Sequence, residues 1–276
     1  MSTLDTPRTT DQRQSPHAHF IMDTWVNFKR RGLKAIRDRF VLVGTIIQPV
    51  VWLVLFTQVF QSVSQVPGFA AGSYLDFLVP AVMILVAQFG AADAGIGLIN
   101  DIESGMFEKV LAAPVSRTAI FLGKTLADVL KLVLQAIVVL VLGLALGARV
   151  ETGIVGMLGL LSVVILYGLW YVALSTLIGL RTRSSEATTI GTRILALPLL
   201  FLSNAFMPLE LLPGWIQLVA QVNPITYGVT AARTIMLDGW VWDALLPALG
   251  VLVALNVVFV VAGIVSLRRA TNANVR

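Results

Sequence analysis

Apolar residues fall into long blocks that are separated by short polar segments. A helix needs about 20 apolar residues to cross a bilayer. Blocks of this kind predict six transmembrane helices, at about residues 41–60, 76–99, 118–148, 154–180, 189–207 and 244–267. The pattern indicates an all-α integral membrane protein with one membrane domain over residues 41–267.

The stretch after the fifth block is apolar but interrupted by proline. Pro198, Pro208, Pro213 and Pro224 are each expected to exclude an ordinary helix interior, because proline lacks a backbone donor and clashes with the preceding turn. We therefore predict that the fifth span ends near Met207. Residues 208–238 are predicted to form a re-entrant pair of short helices, since lipid tolerates irregular backbone only where protein or water covers it.

The N-terminal 40 residues divide into two parts. Residues 1–19 are polar and lack an apolar run, which predicts a disordered cytoplasmic tail. Residues 20–40 repeat apolar side chains at spacings of three or four, with lysine and arginine between them, which is typical of an interfacial amphipathic helix. Residues 268–276 are predicted to form a cytoplasmic C-terminal tail.

Composition and charge agree with the membrane class, because 57% of residues are hydrophobic and only 13% are charged. The segments predicted as cytoplasmic hold fifteen of the twenty lysines and arginines: eight before the first span, two in each inner loop and three at the C-terminus. Two others fall outside, Arg149 and Arg233. This asymmetry predicts that both termini lie in the cytoplasm, and the expected location is the plasma membrane. It also explains the net charge of +5 without nucleic-acid binding.

The chain carries no recognisable enzyme motif. It has no cysteine, and its two histidines, His17 and His19, lie in the tail, so we predict no catalytic residue and no metal site. The Gly123-Lys124-Thr125 tripeptide lacks the earlier glycine of a phosphate-binding loop. Any nucleotide chemistry is therefore expected on another chain.

Polar residues inside predicted spans are costly in lipid and usually face a bundle interior. For the amides, hydrogen bonds between helices compete with a place on a transport pathway. Asp93 either has a function or forms an ion pair, with Arg193 or Lys124 as the expected partner. On the third helix Asp128 can pair with Lys124 or Lys131. The pathway candidates are Gln48, Gln58, Gln88, Asp93 and Asn204.

Two motifs stand in order along the chain. The first inner loop reads ESGMFEKVLAAPVSR, and the proline-interrupted stretch reads FMPLELLPGWIQLVAQVNPITYGVTAAR. Together they resemble the permease subunits of type-2 ATP-binding-cassette exporters, most closely the daunorubicin-resistance group, over about residues 20–270. The recurring positions of the first motif are Glu103, Gly105, Glu108, Leu111, Pro114 and Ser116. Those of the second are Pro208, Leu209, Glu210, Leu212, Pro213, Trp215, Asn223, Pro224, Tyr227 and Arg233.

The resemblance implies two six-span permeases with two cytoplasmic ATPases that bind ATP and magnesium. The two permeases are expected to form a homodimer, with a heterodimer as the alternative. It implies an ATPase-coupling surface at Glu103, Gly105, Glu108, Lys109, Leu111, Pro114, Ser116, Arg117, Lys29 and Arg30. It also implies an outer re-entrant cap that contains Pro208, Glu210, Pro213, Trp215, Asn223, Pro224, Tyr227 and Arg233.

The function predicted from the resemblance is ATP-driven export of a hydrophobic or amphipathic substrate, such as a drug, an antibiotic or a lipid-like molecule. The alternative is an ion-gradient carrier with Asp93 as its ion site and the broken helices as its substrate site. A membrane scaffold without transport is a third hypothesis. Substrate identity does not follow from the architecture.

Overall fold

The computed structural model describes residues 25, 29, 39–65, 69, 72–105 and 117–273. Helices and turns account for this part of the chain, which contains no strand, so the predicted all-α class is confirmed for it. The helices, in chain order, are α1 Arg39–Val59, α2 Tyr74–Glu103, α3 Arg117–Ala145, α4 Gly153–Thr182, α5 Ser185–Phe201, α6 Gly214–Ala220, α7 Pro224–Arg233 and α8 Trp242–Ala273. Short turns of other helix types occupy Gln61–Gln65, Leu209–Leu211 and Thr234–Asp238.

Each apolar block of the sequence is helical in the structure. Among the described residues, four helices are long and apolar enough to cross a membrane: Tyr74–Glu103, Lys124–Ala145, Gly153–Thr182 and Trp242–Gly263. Helix α1 contributes a shorter apolar stretch, Ile47–Val59, and α5 has 17 residues. The structure thus supports a multi-pass membrane protein, and six spans stay a prediction.

Parts of the predicted organisation lie outside the described residues. These are the tail at 1–19, most of the amphipathic helix at 20–40, and residues 274–276. Within 20–40, Trp25 and Lys29 are helical and exposed.

Helix α2 is the centre of the bundle. Within its most apolar window 89% of the residues are buried by protein, against 17% for α8. It packs most extensively on α4 and also contacts α3 and α5. Small residues allow the α2–α4 approach: a Cβ on Gly95 would lie 2.4 Å from the backbone of Ser175, whose hydroxyl donates to the Ala92 carbonyl at 2.6 Å. Close backbones of this kind are common between membrane helices.

Stacked aromatic rings attach α1 to the segment that follows α5. The ring centroids of Phe56 and Phe206 are 4.7 Å apart, and those of Trp52 and Phe206 are 5.7 Å apart. The Tyr74 hydroxyl, at the start of α2, donates to the Phe206 carbonyl at 3.1 Å. Because Phe206 is held from two sides, the chain leaves α5 in a defined direction.

The prolines behave differently from the prediction in one case. Pro198 lies inside α5, which continues to Phe201, and the N–H of Leu202 donates to the Pro198 carbonyl at 2.9 Å. The expectation that Pro198 excludes a helix interior was wrong, because proline removes only its own donor and the rest of the ladder remains. Pro208 and Pro213 each precede a short helix, and Pro224 is the first residue of α7, where a missing donor costs little.

Candidate functional site

Asn223 joins the end of α5 to the beginning of α7. Its Oδ1 accepts from the N–H of Ile225 at 3.0 Å, which caps α7. Its Nδ2 donates to the carbonyls of Leu199 and Leu202 at 2.6 and 2.7 Å. Helix ends leave carbonyls and N–H groups without partners, and this single buried amide satisfies both kinds. The asparagine therefore fixes how the broken stretch folds back on α5.

Arg233 ends α7 with its guanidinium against α2. Nε and Nη2 donate to the Phe77 carbonyl at 3.3 and 3.1 Å, and Nη2 also donates to the Asn204 carbonyl at 3.2 Å. The guanidinium carbon lies 3.5 Å from the centroid of the Phe77 ring, a cation–π arrangement. Arg233 is thus half-buried within the predicted cap, where backbone carbonyls and an aromatic face stabilise its charge.

The other predicted cap residues differ in exposure. Trp215 is 62% exposed on α6, and Glu210 and Pro213 are also exposed. The Tyr227 hydroxyl donates to the Gln221 carbonyl, which ties α7 to the end of α6. The cap therefore has an anchored side, α7, and an outward side, α6.

Two pathway candidates make hydrogen bonds within the bundle. Gln88 Oε1 accepts from the Tyr167 hydroxyl at 2.6 Å, and its Nε2 donates to the Ala196 carbonyl at 3.3 Å. Asn204 Nδ2 donates to Thr230 Oγ1 at 2.9 Å. Both amides are buried and join neighbouring elements, which is the helix-packing arrangement. Gln58, by contrast, is exposed.

One ion pair lies within α3, and a second joins α3 to α2. Lys124 Nζ lies 2.8 Å from Asp128 Oδ2 and donates to the Ala94 carbonyl at 2.9 Å. Lys131 Nζ lies 2.8 Å from Asp93 Oδ2. The expected partners of Asp93, Arg193 and Lys124, were therefore wrong. Lys124 is buried and occupied by its own helix and by Ala94, so the lysine seven residues further along α3 reaches Asp93.

A polar cavity of about 350 Å³ lies beside the Asp93–Lys131 pair, where α1, α2, α3 and α5 meet. Within the described part of the chain its lining consists of Gln48, Phe89, Gly90, Ala92, Asp93, Gln135 and Arg193. Gln48 and Asp93 are thus the two pathway candidates that face an open space. Cavities of this size hold small molecules or headgroups.

Sequence reasoning missed Gln135 as a site residue. It is 8% exposed, and its Oε1 has no hydrogen-bond partner among the described residues. A Cβ on Gly90 would lie 2.3 Å from that oxygen, so the glycine makes room for the amide. A single glutamine in the apolar run of α3 gives no spacing signal. The available clue was the free-energy cost of placing a polar glutamine side chain in a membrane helix.

At the other end of α2, Glu103 contacts the start of α5. Its Oε1 accepts from the N–H of Ser185 at 2.9 Å, and Gly105 follows with a φ of 66°, which suits a turn. Lys29 is exposed and Arg117 is the first residue of α3. The remaining predicted coupling residues lie outside the described residues: Arg30, Glu108, Lys109, Leu111, Pro114 and Ser116.

The opposite end of the bundle is also tied by hydrogen bonds. Asp76 Oδ1 accepts from the N–H of Arg149 at 2.9 Å, and the Thr152 hydroxyl donates to the Ile235 carbonyl at 2.8 Å. The turn between α3 and α4 is thereby held to the start of α2 and to the turn after α7. In the part of the chain that the structure describes, no three acidic or histidine side chains gather as a metal site would require.

The model of the ABC-2 type transporter family matches residues 22–237, which include both sequence motifs. Over 197 residues the chain is 30% identical to the daunorubicin resistance ABC transporter permease protein DrrB1 of Streptomyces coeruleorubidus, covering 71% of this chain and 68% of that protein. It is 26% identical over 234 residues to the probable doxorubicin resistance ABC transporter permease protein DrrC of Mycobacterium tuberculosis, covering 85% and 83%. It is 26% identical over 182 residues to the probable multidrug ABC transporter permease YbhR of Escherichia coli, covering 64% and 49%.

Proposed function

The chain belongs to the ABC-2 type transporter family as an exporter permease, and from this premise we propose that it moves a hydrophobic or amphipathic substrate out of the cell with ATP hydrolysed by separate subunits. The observation that carries the proposal is the continuous family match over residues 22–237. It joins the predicted amphipathic helix, the first inner loop and the broken stretch in one order. The names of the relatives make daunorubicin and doxorubicin the first substrates to test.

In the plasma membrane, six spans are proposed, with both termini in the cytoplasm. Helices α1 to α5 and α8 supply the spans, and residues 208–238 form the re-entrant pair on the outer side. Two observations support this arrangement. Lysine and arginine are concentrated in the predicted inner segments. The Asp76–Arg149 and Thr152–Ile235 hydrogen bonds gather the predicted outer turns at one end of α2, while Glu103 lies at the other end.

Two copies of the chain assemble with two ATPases, which bind ATP and magnesium beneath the membrane. The ATPases contact the loop that follows Glu103 together with the segment at residues 20–40. The absence of a complete nucleotide-binding motif in the sequence supports a separate ATPase. The single chain is a half-transporter in this scheme.

Coupling runs from that loop to α5 through Glu103. Because its carboxylate holds the first N–H of α5, a displacement of the loop moves α5 as a rigid body. Helix α5 carries Arg193 into the cavity and presents the Ala196 carbonyl to Gln88. ATPase motion therefore changes the walls of the cavity without unfolding a helix.

The test is reconstitution of the chain with its ATPase in liposomes, with daunorubicin efflux and ATP turnover measured together. Glu108→Ala and Pro114→Ala are expected to lower efflux per ATP, because both lie in the proposed contact with the ATPase. Thermal stability is measured in parallel. Unchanged efflux and turnover in both variants would reject the coupling surface.

A further inference from the structure

Arg193 lies in the apolar helix α5. Among the described residues, no carboxylate lies within ion-pair distance of its guanidinium. Arg193 lies eight residues after the start of α5, about 12 Å along the helix at about 1.5 Å per residue. Ile194, Leu195 and Leu197 beside it are exposed apolar side chains, as expected for a helix that contacts lipid or another span. A charge at this depth is costly unless it faces a cavity and meets a partner. Arg193 is exposed and lines the cavity, so its guanidinium is accessible to a ligand there.

The acid on the cavity wall is not available to Arg193. Asp93 pairs with Lys131 at 2.8 Å, which neutralises its charge. Lys131 is 26% exposed at its side chain, so the pair forms at the edge of the cavity. The described lining together with Lys131 therefore carries two cations and one anion. The electrostatic field in this space favours an anion.

The cavity also offers unsatisfied hydrogen-bonding capacity beside the cation. Gln135 Oε1 is buried without a partner, although buried amide oxygens are normally hydrogen-bonded. Gly90 makes room for this amide, and a Cβ there would collide with it at 2.3 Å. The amide is thus held at the wall of the space into which Arg193 projects. A ligand with a hydroxyl or N–H group next to its acid satisfies both residues.

We propose that the cavity binds the acidic headgroup of a singly charged anionic amphiphile, with the acid on Arg193 and a neighbouring donor on Gln135. This inference rests on the proposed export function and adds to it a site for an anionic ligand, which differs in charge from the amine drugs of the efflux test. A volume of about 350 Å³ suits a headgroup rather than a whole lipid. Exposed Ile47 and Val51 on α1 and Ile194 on α5 supply an apolar surface for the hydrocarbon chain.

The test is equilibrium binding to the full chain in nanodiscs of zwitterionic lipid. The probes are 12-carbon chains that carry a carboxylate, a phosphate or a trimethylammonium group. We expect the anionic probes to bind in preference to the cationic one, and Arg193→Gln to weaken anionic binding about tenfold, since charge-assisted hydrogen bonds are the strong ones. Arg193→Lys keeps the charge and most of the binding. Arg149→Gln, which removes an exposed arginine elsewhere, leaves binding unchanged.

A second comparison isolates Gln135. The hydroxyl of 2-hydroxydodecanoate is expected to strengthen binding over dodecanoate in the wild type but not in Gln135→Leu. If the carboxylate probe binds more tightly than the phosphate probe, the natural ligand is a free acid. The reverse order of affinities indicates a phospholipid headgroup.

Tighter binding of the trimethylammonium probe, or equal anionic binding in wild type and Arg193→Gln, overturns the site. If Arg193→Gln does not fold, competition between anionic and cationic probes on the wild type decides the question without a variant. If no anionic probe binds but ATP-driven efflux persists, the headgroup site is rejected and the exporter function stands. If the anionic probes bind but no ATP-driven efflux is observed, the exporter function is rejected and the headgroup site stands.

Discussion

The carboxylate of Glu103 accepts a hydrogen bond from the backbone N–H of Ser185 at 2.9 Å, which joins the last residue of α2 to the first residue of α5. The two residues are 82 positions apart, and the contact lies at the end of the bundle that we assign to the cytoplasm. It is the described link between the first inner loop and a helix that lines the cavity.

Glu103→Ala is expected to reduce substrate efflux per ATP by up to about fivefold, because a carboxylate at a helix N-terminus contributes about 0.3–1 kcal/mol. Coupled efflux and ATP turnover in liposomes measure the effect. Glu186→Gln removes an exposed charge from the first turn of the same helix and is the matched control. An equal loss of efflux per ATP in both variants would show that negative charge near the start of α5, rather than the Glu103–Ser185 hydrogen bond, supports coupling.

Asn223 variants separate its two roles. Asn223→Ser keeps an acceptor for the α7 cap and loses the donor to Leu199 and Leu202, while Asn223→Ala loses both. We expect the alanine variant to lower the free energy of unfolding by about 1–3 kcal/mol and the serine variant by less. Asn223→Asp is expected to be less stable to unfolding than Asn223→Ala, since its negative charge faces two carbonyls. Denaturation in detergent micelles checks this order, and equal stability of all three variants would contradict it.

Asp93 and Lys131 form a pair whose role can be tested by removing both charges. Asp93→Asn alone leaves Lys131 without its partner and is expected to impair efflux and stability. The double variant Asp93→Asn/Lys131→Met is expected to restore both in part, with a coupling energy of about 0.5 kcal/mol, as for other polar pairs between membrane helices. If the double variant is as inactive as Asp93→Asn but remains folded, Asp93 acts directly in transport, as an ion-gradient carrier requires.

The chain contains no cysteine, so single cysteines can report membrane sidedness without a background. Trp215→Cys, at an exposed position of α6, is expected to react with a membrane-impermeant maleimide from outside only. Glu186→Cys, at the opposite end of the bundle, is expected to react from the cytoplasm only. Labelling of Trp215→Cys from the cytoplasm alone would overturn the proposed orientation.

The sequence was informative where a signal is local. Long apolar runs located α2 and α4 within a few residues of their ends, because hydrophobic length depends on the chain alone. The broken stretch was also recognised, since Pro208, Pro213 and Pro224 mark helix starts.

Contacts between helices were less predictable. The Asp93 partner depends on the rotation of α3 about its axis, which the spacing of Lys124, Asp128 and Lys131 does not specify. The contacts of Arg233 could not be predicted from its place in the cap. Its actual partners are backbone carbonyls, which have no sequence signature. Gln135 was missed for a related reason, because its room is provided by a glycine on another helix.

The energy source of transport tests the central claim most directly. The chain and its ATPase are reconstituted in liposomes, and daunorubicin movement is followed with ATP, without ATP, and with ATP plus an uncoupler. The account predicts transport that requires ATP and the ATPase subunit and continues when the ion gradient is dissipated. Transport that proceeds without ATP and stops on addition of the uncoupler would contradict it.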